Sequence, residues 1–258
     1  MESVKLSSLS IGYRTGKETR QVATGLCASL FSGELTCLLG PNGVGKSTLL
    51  RTLAAFQPPL SGTVTIGDSE LSTMSARKIS RTIGIVLTEK PDVPGMTARE
   101  MVAMGRSPYT GFWGRQDDED KVIVNEAITT VGINALADRL VGTLSDGERQ
   151  KVMIAKALAQ QTPIVLLDEP TAFLDFPSKV DTMLLLRRIC REQQKTVFLS
   201  THDLELALQT ADRLWLLMPG GYLHVGTPKE LAKQGQLAQF IERTNVMFNP
   251  ETLVITVK

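Results

Sequence analysis

Lys46 and Ser47 close the run Gly40-Pro41-Asn42-Gly43-Val44-Gly45-Lys46-Ser47-Thr48, which has the spacing G-x-x-x-x-G-K-[ST]. Glycines at these positions let the backbone curl until successive N–H groups point at one anion. A lysine there reaches the β- and γ-phosphates of a nucleotide, and the adjoining Ser47 hydroxyl holds Mg²⁺. Such a loop works only between a strand and a helix. Leu35-Thr36-Cys37-Leu38-Leu39 before it reads as a buried strand, and Ser47 to Ala54 after it as the first turns of a helix. The helix start adds its partial positive charge. Gly40, Pro41, Asn42, Gly43, Val44, Gly45, Lys46, Ser47 and Thr48 are therefore read as a nucleotide phosphate site.

Two acids suit that site. Asp168 and Glu169 end the apolar run Ile164-Val165-Leu166-Leu167. A carboxylate at the end of a buried strand is costly unless it meets a cation. Asp168 is expected to complete Mg²⁺ coordination, directly or through water, and Glu169 to polarise the attacking water as a general base. A second apolar run, Thr196-Val197-Phe198-Leu199-Ser200, leads to His202. A neighbouring parallel strand delivers that imidazole to the same carboxyl edge, where it could donate to the γ-phosphate. Leu144-Ser145-Asp146-Gly147-Glu148-Arg149-Gln150 opens another helix, with Ser145 and Glu148 at capping-box spacing. A helix start is also a phosphate site, yet nothing in its half of the chain obviously supplies the phosphate.

The elements that must hold these residues fit one large domain. The chain has 258 residues, 42% hydrophobic, enough to bury a full core. A formal net charge of +1 gives no electrostatic case for nucleic acid or a strongly anionic membrane. No apolar stretch is long enough to span a bilayer, and the opening residues lack the apolar region of a signal peptide. The protein is expected to be cytosolic, with any membrane role exercised through a partner. Cys27, Cys37 and Cys190 have no metal-ligand spacing and read as reduced core residues. Residues 4 to 35 read as short antiparallel strands with turns, Ser61 to Gly67 and Leu214 to Val225 as hairpins, and Arg81 to Leu87 as a core strand. From about 89 to 159 the apolar spacing becomes helical, with the acidic run Asp117 to Asp120 placed at a first turn. The fold class is α/β: a P-loop NTPase core with a parallel sheet, an N-terminal antiparallel β subdomain and an inserted α-helical subdomain.

These pieces in this order resemble the ATP-binding cassette family, the ATPase subunits of ABC transporters, over nearly the whole chain. The resemblance makes Gly40 to Thr48 the Walker A, Ile164 to Glu169 the Walker B, Leu144 to Gln150 the LSGGQ-type signature, Asp175 the D-loop aspartate and His202 the switch histidine. Tyr13 matches the aromatic that stacks on adenine. In the family two cassettes pack head to tail, so Ser145 and Gly147 are expected to act in trans on the partner's ATP. ATP closes the dimer and hydrolysis releases it. The implied partners are a second cassette, integral membrane permease subunits and, indirectly, a solute-binding protein; the implied place is the cytoplasmic face of the membrane. Met96 to Glu100 and Met104 to Tyr109 look like the cassettes of bacterial importers for iron–siderophore, haem and cobalamin.

The chain departs from the family twice. Thr88 stands where the family usually has a glutamine that touches Mg²⁺, with Glu89 next, and one of them is expected to substitute. Asp146 stands where many signatures have glycine, and is expected to face solvent or cap its own helix. A docking groove for a membrane subunit is expected around Thr88 to Arg115, with Tyr109, Phe112 and Trp113 as a binding surface if exposed. The rival reading is a cassette ATPase without a transporter, acting as an assembly factor or scaffold. A P-loop kinase conflicts with Glu169 and the signature helix.

Overall fold

The chain opens with two long strands, β1 (Glu2–Thr15) and β2 (Glu18–Phe31), paired antiparallel. The sequence reading of several short runs fails here for a physical reason. Register shifts between Leu6 and Leu9 and again up to Gly12, with Ser8 at φ 46, are bulges that break the two-residue alternation while the pairing continues. The computed structural model describes residues 1–16, 18–88, 93–111, 115–242 and 245–257.

β3 (Leu35–Leu39) feeds the phosphate loop and α1 (Lys46–Leu53). β4 (Ser61–Ile66) and β5 (Ser69–Glu70) form the second hairpin and add to β1, giving an antiparallel sheet of order β2-β1-β4-β5. α2 (Ala76–Ser80) leads to β6 (Ile83–Val86). Then come α3 (Ala98–Ala103), α4 (Asp118–Val131) and α5 (Asp146–Ala159), with α3 and α4 packed on α5. β7 (Ile164–Asp168), α6 (Phe176–Gln193), β8 (Thr196–Ser200) and α7 (Leu204–Thr210) return the chain to the core. β9 (Arg213–Leu217) and β10 (Leu223–Gly226) are the expected hairpin. α8 (Pro228–Lys233), α9 (Gln236–Ile241) and the hairpin β11 (Val246–Asn249)–β12 (Val254–Val257) finish the chain, the last anchored by buried Phe248.

The main sheet has the order β10-β9-β3-β8-β7-β6 and is parallel except for β10. Its central strands are continuous apolar runs because both faces are covered. Alternate residues go to opposite sides. Leu38, Leu166, Phe198 and Trp215 face α1 and the antiparallel sheet, while Cys37, Leu167, Leu199 and Leu216 face the side holding α3 to α6. Phe198 and Trp215 meet as tilted rings, centroids 4.8 Å apart.

The helical segment is tied to β6 by a buried polar knot. Arg106 Nε donates to Asp120 Oδ1 at 2.7 Å, with the two side chains 5% and 8% exposed. Arg106 also donates to the Ala159 carbonyl and to Gln161 Oε1. The Tyr109 ring meets two guanidinium groups, its centroid 4.0 Å from Arg106 and 4.7 Å from Arg81, and its hydroxyl donates to the Gln160 carbonyl. Tyr109 is thus packing within the lobe rather than an exposed binding aromatic; Phe112 and Trp113 lie outside the described residues. Cys27 is exposed, against expectation, because its position in β2 faces the bulge at Ser8, whose N–H donates to it at 3.3 Å. Cys37 and Cys190 are buried, and burial pushes both thiols up, Cys190 to about 12, which keeps them inert.

Candidate active site

The parallel register of β3, β8 and β7 decides which side chains meet. All three strands end at one edge, so the phosphate loop, His202 and the two acids emerge side by side. Gly45 at the start of α1 has φ 116, and a Cβ there would lie 2.3 Å from Val22 Cγ1, so only glycine fits. Lys46 curls over the loop, its Nζ donating to the carbonyls of Gly40 at 2.9 Å and Pro41 at 3.2 Å. Burial lowers its pKa, while the carboxylates of Glu169 and Asp168 pull it back up.

Asp168 is the hub of the acidic side. Its Oδ1 accepts from Ser200 Oγ at 2.7 Å and from Ser47 Oγ at 3.3 Å. Glu169 has φ 48, a left-handed backbone unusual for a glutamate, and its N–H donates to Ser200 Oγ at 3.0 Å. Its Oε1 lies 2.7 Å from His202 Nε2. Tyr13 reaches over from β1 and shares a 2.6 Å hydrogen bond with Thr48 Oγ1. A cleft of about 290 Å³ is lined by Tyr13, Asn42, Gly43, Lys46, Ser47 and Glu169, with Arg20 from β2 beside them.

Mg²⁺ fits this donor set by its chemistry. Ser47 and Asp168 bring a hydroxyl and a carboxylate together beside a lysine, the hard oxygen ligands that ion selects. Among the described residues no group of three or more His, Cys, Asp or Glu side chains forms a closed metal cage. One or two protein oxygens plus nucleotide phosphates is how Mg²⁺ is ordinarily held.

Other sequence-predicted residues lie outside the lining of that cleft. Thr88 donates its hydroxyl to the main-chain carbonyl of Asp168 at 2.8 Å, and Glu89 lies outside the described residues. Ser145 and Gly147 do not line the phosphate cleft; Ser145 is exposed and caps α5, accepting from the Glu148 N–H while Glu148 accepts the Ser145 N–H. Asp146, at the first helical position, pairs with Arg149 at 2.9 Å. Asp175 caps α6 by accepting from the Ser178 N–H, and hydrogen bonds from the Ser178 side chain and then its N–H lower the Asp175 pKa. Sequence reasoning missed Arg20 and Ser200. Arg20 carries no local signal, whereas Ser200 is a polar residue ending an apolar strand two positions before His202.

Comparison with known proteins agrees with the geometry. The ABC transporter family model matches residues 24–172. The ferric enterobactin transport ATP-binding protein of Escherichia coli is 40% identical over 236 residues, covering 91% of this chain and 84% of that protein. The iron(3+)-hydroxamate import ATP-binding protein of Bacillus subtilis is 35% identical over 254 residues, covering 98% and 93%. A dimeric ATP-binding cassette in a post-hydrolysis state, bound to ADP and Pi, superposes with a TM-score of 0.74 at 28% identity, over 87% of this chain and 98% of that one. No helix among the described residues is long and apolar enough to cross a membrane. On fold, site and relatives together, this chain belongs to the ABC transporter family as one of its ATP-binding, ATP-hydrolysing subunits.

Proposed function

We propose that this subunit powers an importer for an iron chelate, with haem or cobalamin as the neighbouring solute classes. The observation that carries the hydrolytic part is the Glu169–His202 contact of 2.7 Å directly beside the phosphate loop. Glu169 takes a proton from water as it attacks the γ-phosphorus. The bond from that phosphorus to the bridging oxygen breaks, leaving ADP and Pi. His202 holds the Glu169 carboxylate in place, and Lys46 meets the charge on the phosphate oxygens. Ser47 and Asp168 would hold Mg²⁺, which supplies charge neutralisation across the β- and γ-phosphates; Thr88, hydrogen-bonded to Asp168, stands next to them.

Ser145 and Gly147 lie away from their own cleft, which supports the reading that they complete the site of a second copy, so that the working unit is a dimer with two composite sites. Relatives whose names specify ferric enterobactin and iron(3+)-hydroxamate support the importer over the soluble assembly-factor reading, and support membrane permease subunits as partners at the cytoplasmic face. Glu169→Gln tests both parts. Hydrolysis should fall by about 10²- to 10⁴-fold with nucleotide binding kept. The same variant, used with MgATP as bait in mildly solubilised membranes, should recover a many-helix membrane protein. Undiminished turnover removes the base role, and recovery of soluble proteins alone removes the importer.

A further inference from the structure

Ser200 closes β8 where the chain leaves the core for Thr201 and His202, and it is fully buried. A hydroxyl at that depth is costly unless its hydrogen and a lone pair both find partners. Both do, on the two acids of the site. The hydrogen goes to Asp168 Oδ1 at 2.7 Å, and the oxygen accepts the Glu169 N–H at 3.0 Å. The parallel register, which sets Ser200 opposite Asp168, makes both bonds reachable from one atom.

Each bond restrains something the chemistry needs. Asp168 Oδ1 has Ser47 as its other hydroxyl donor, at the longer distance of 3.3 Å. If Ser47 turns to a cation, Ser200 is the donor that still fixes the carboxylate. Glu169 occupies a left-handed backbone, at φ 48, that a glutamate adopts only under restraint. Its N–H on Ser200 and its carbonyl, which accepts from the Ala172 N–H at 3.0 Å, hold it there from either side.

We propose that Ser200 is a positioning residue of the hydrolytic site, one hydroxyl that fixes the Asp168 carboxylate and the Glu169 backbone together. This rests on the reading of Asp168 as the metal-side acid and Glu169 as the base. Neither acid can then reorient without disturbing the other. Ser200 is not among the residues lining the phosphate cleft, and its hydroxyl bonds go to the two acids, so its removal acts through them.

The test compares Ser200→Ala, Ser200→Thr and Glu169→Gln with the parent chain. A fluorescent ATP analogue reads affinity in EDTA and across a Mg²⁺ titration, and phosphate release reads turnover. Ser200→Ala is expected to bind the analogue normally in EDTA, which also certifies its fold. It should need about ten-fold more Mg²⁺ for half-saturation and turn over about 10- to 100-fold more slowly, the usual cost of losing a group that orients a metal ligand. Ser200→Thr, which keeps the hydroxyl, should restore most of both. A parental Mg²⁺ requirement in Ser200→Ala overturns the proposal, as does equal loss in the Ala and Thr variants or weakened binding in EDTA. Full turnover in Glu169→Gln strikes the base reading instead, and the Mg²⁺ requirement of Ser200→Ala still decides whether Ser200 positions Asp168.

Discussion

Replacing Arg106 by leucine strips the cation from Asp120 and leaves a carboxylate that is 8% exposed with, among the described residues, only the Asp117 N–H, at 3.3 Å, as a partner. Breaking one side of a buried ion pair costs about 3–5 kcal/mol, because the remaining charge stays out of water. The Ala159 carbonyl also loses a donor, and Tyr109 keeps only Arg81 as a stacked cation. These losses share one network and do not add, so a total on the order of 4 kcal/mol is expected. At 2–4 °C per kcal/mol for a chain of this size, that is a fall in melting temperature of about 10 °C. Urea unfolding, followed by tryptophan fluorescence with nucleotide left out, measures the free-energy loss, and a thermal melt measures the shift. The double substitution Arg106→Leu/Asp120→Leu removes both charges and should recover all but about 1 kcal/mol, the worth of the capping-box bond that Asp120 accepts from the Asp117 N–H. Two results refute this reasoning: a loss under about 1 kcal/mol in Arg106→Leu, or a double variant as unstable as the sum of the singles.

Two further outcomes follow from the phosphate loop. Gly45→Ala should abolish nucleotide binding, since its Cβ would meet Val22 at 2.3 Å, whereas Gly43→Ala, at φ 77 with nothing within 4 Å, should cost only about 1–2 kcal/mol; binding titrations of the pair separate collision from backbone preference. For Lys46, burial lowers the folded pKa below 10.5, so the folded state binds fewer protons than the unfolded one in the window beneath that value. Its contribution to stability therefore rises with pH there. Asp168→Asn removes one of the carboxylates that hold the ammonium charged, and metal-free nucleotide binding should then begin to weaken at lower pH than in the parent. Coincident pH profiles would show that Asp168 does not act on Lys46.

What could be read from the sequence was local in the chain. The phosphate loop, the acids closing an apolar run and the Ser145–Glu148 box each sit within a few residues, so spacing alone placed them. The acidic run was legible as a helix start, because Asp117 caps α4 by accepting from the Asp120 N–H. That Asp120 also meets Arg106 was not legible, since 14 residues of loop and helix separate them. Ser200 escaped notice because its role exists only once β7 and β8 lie in register. The long N-terminal hairpin was misread as short pieces because bulges reset the alternation that marks a strand. Whether Tyr109 is exposed or packed was not legible, because one of the two guanidinium groups that meet its ring, Arg81, comes from a distant segment.

The cap on α5 settles how the Ser145 hydroxyl is spent. One lone pair accepts the Glu148 N–H at 3.3 Å, and the Glu148 carboxylate takes the Ser145 N–H at 2.8 Å. Hydrogen bonds from the Ser145 N–H and the Ser145 side chain lower the Glu148 pKa, which favours the charged carboxylate of the box. The hydroxyl itself is also turned toward the Glu148 carboxylate, so the box fixes its orientation. A free serine rotor divides its time among three staggered wells, and choosing one costs about RT ln 3, roughly 0.6–0.7 kcal/mol. Here that choice is already made by the helix, so a phosphate arriving from a second copy would meet a hydroxyl whose rotamer search is over.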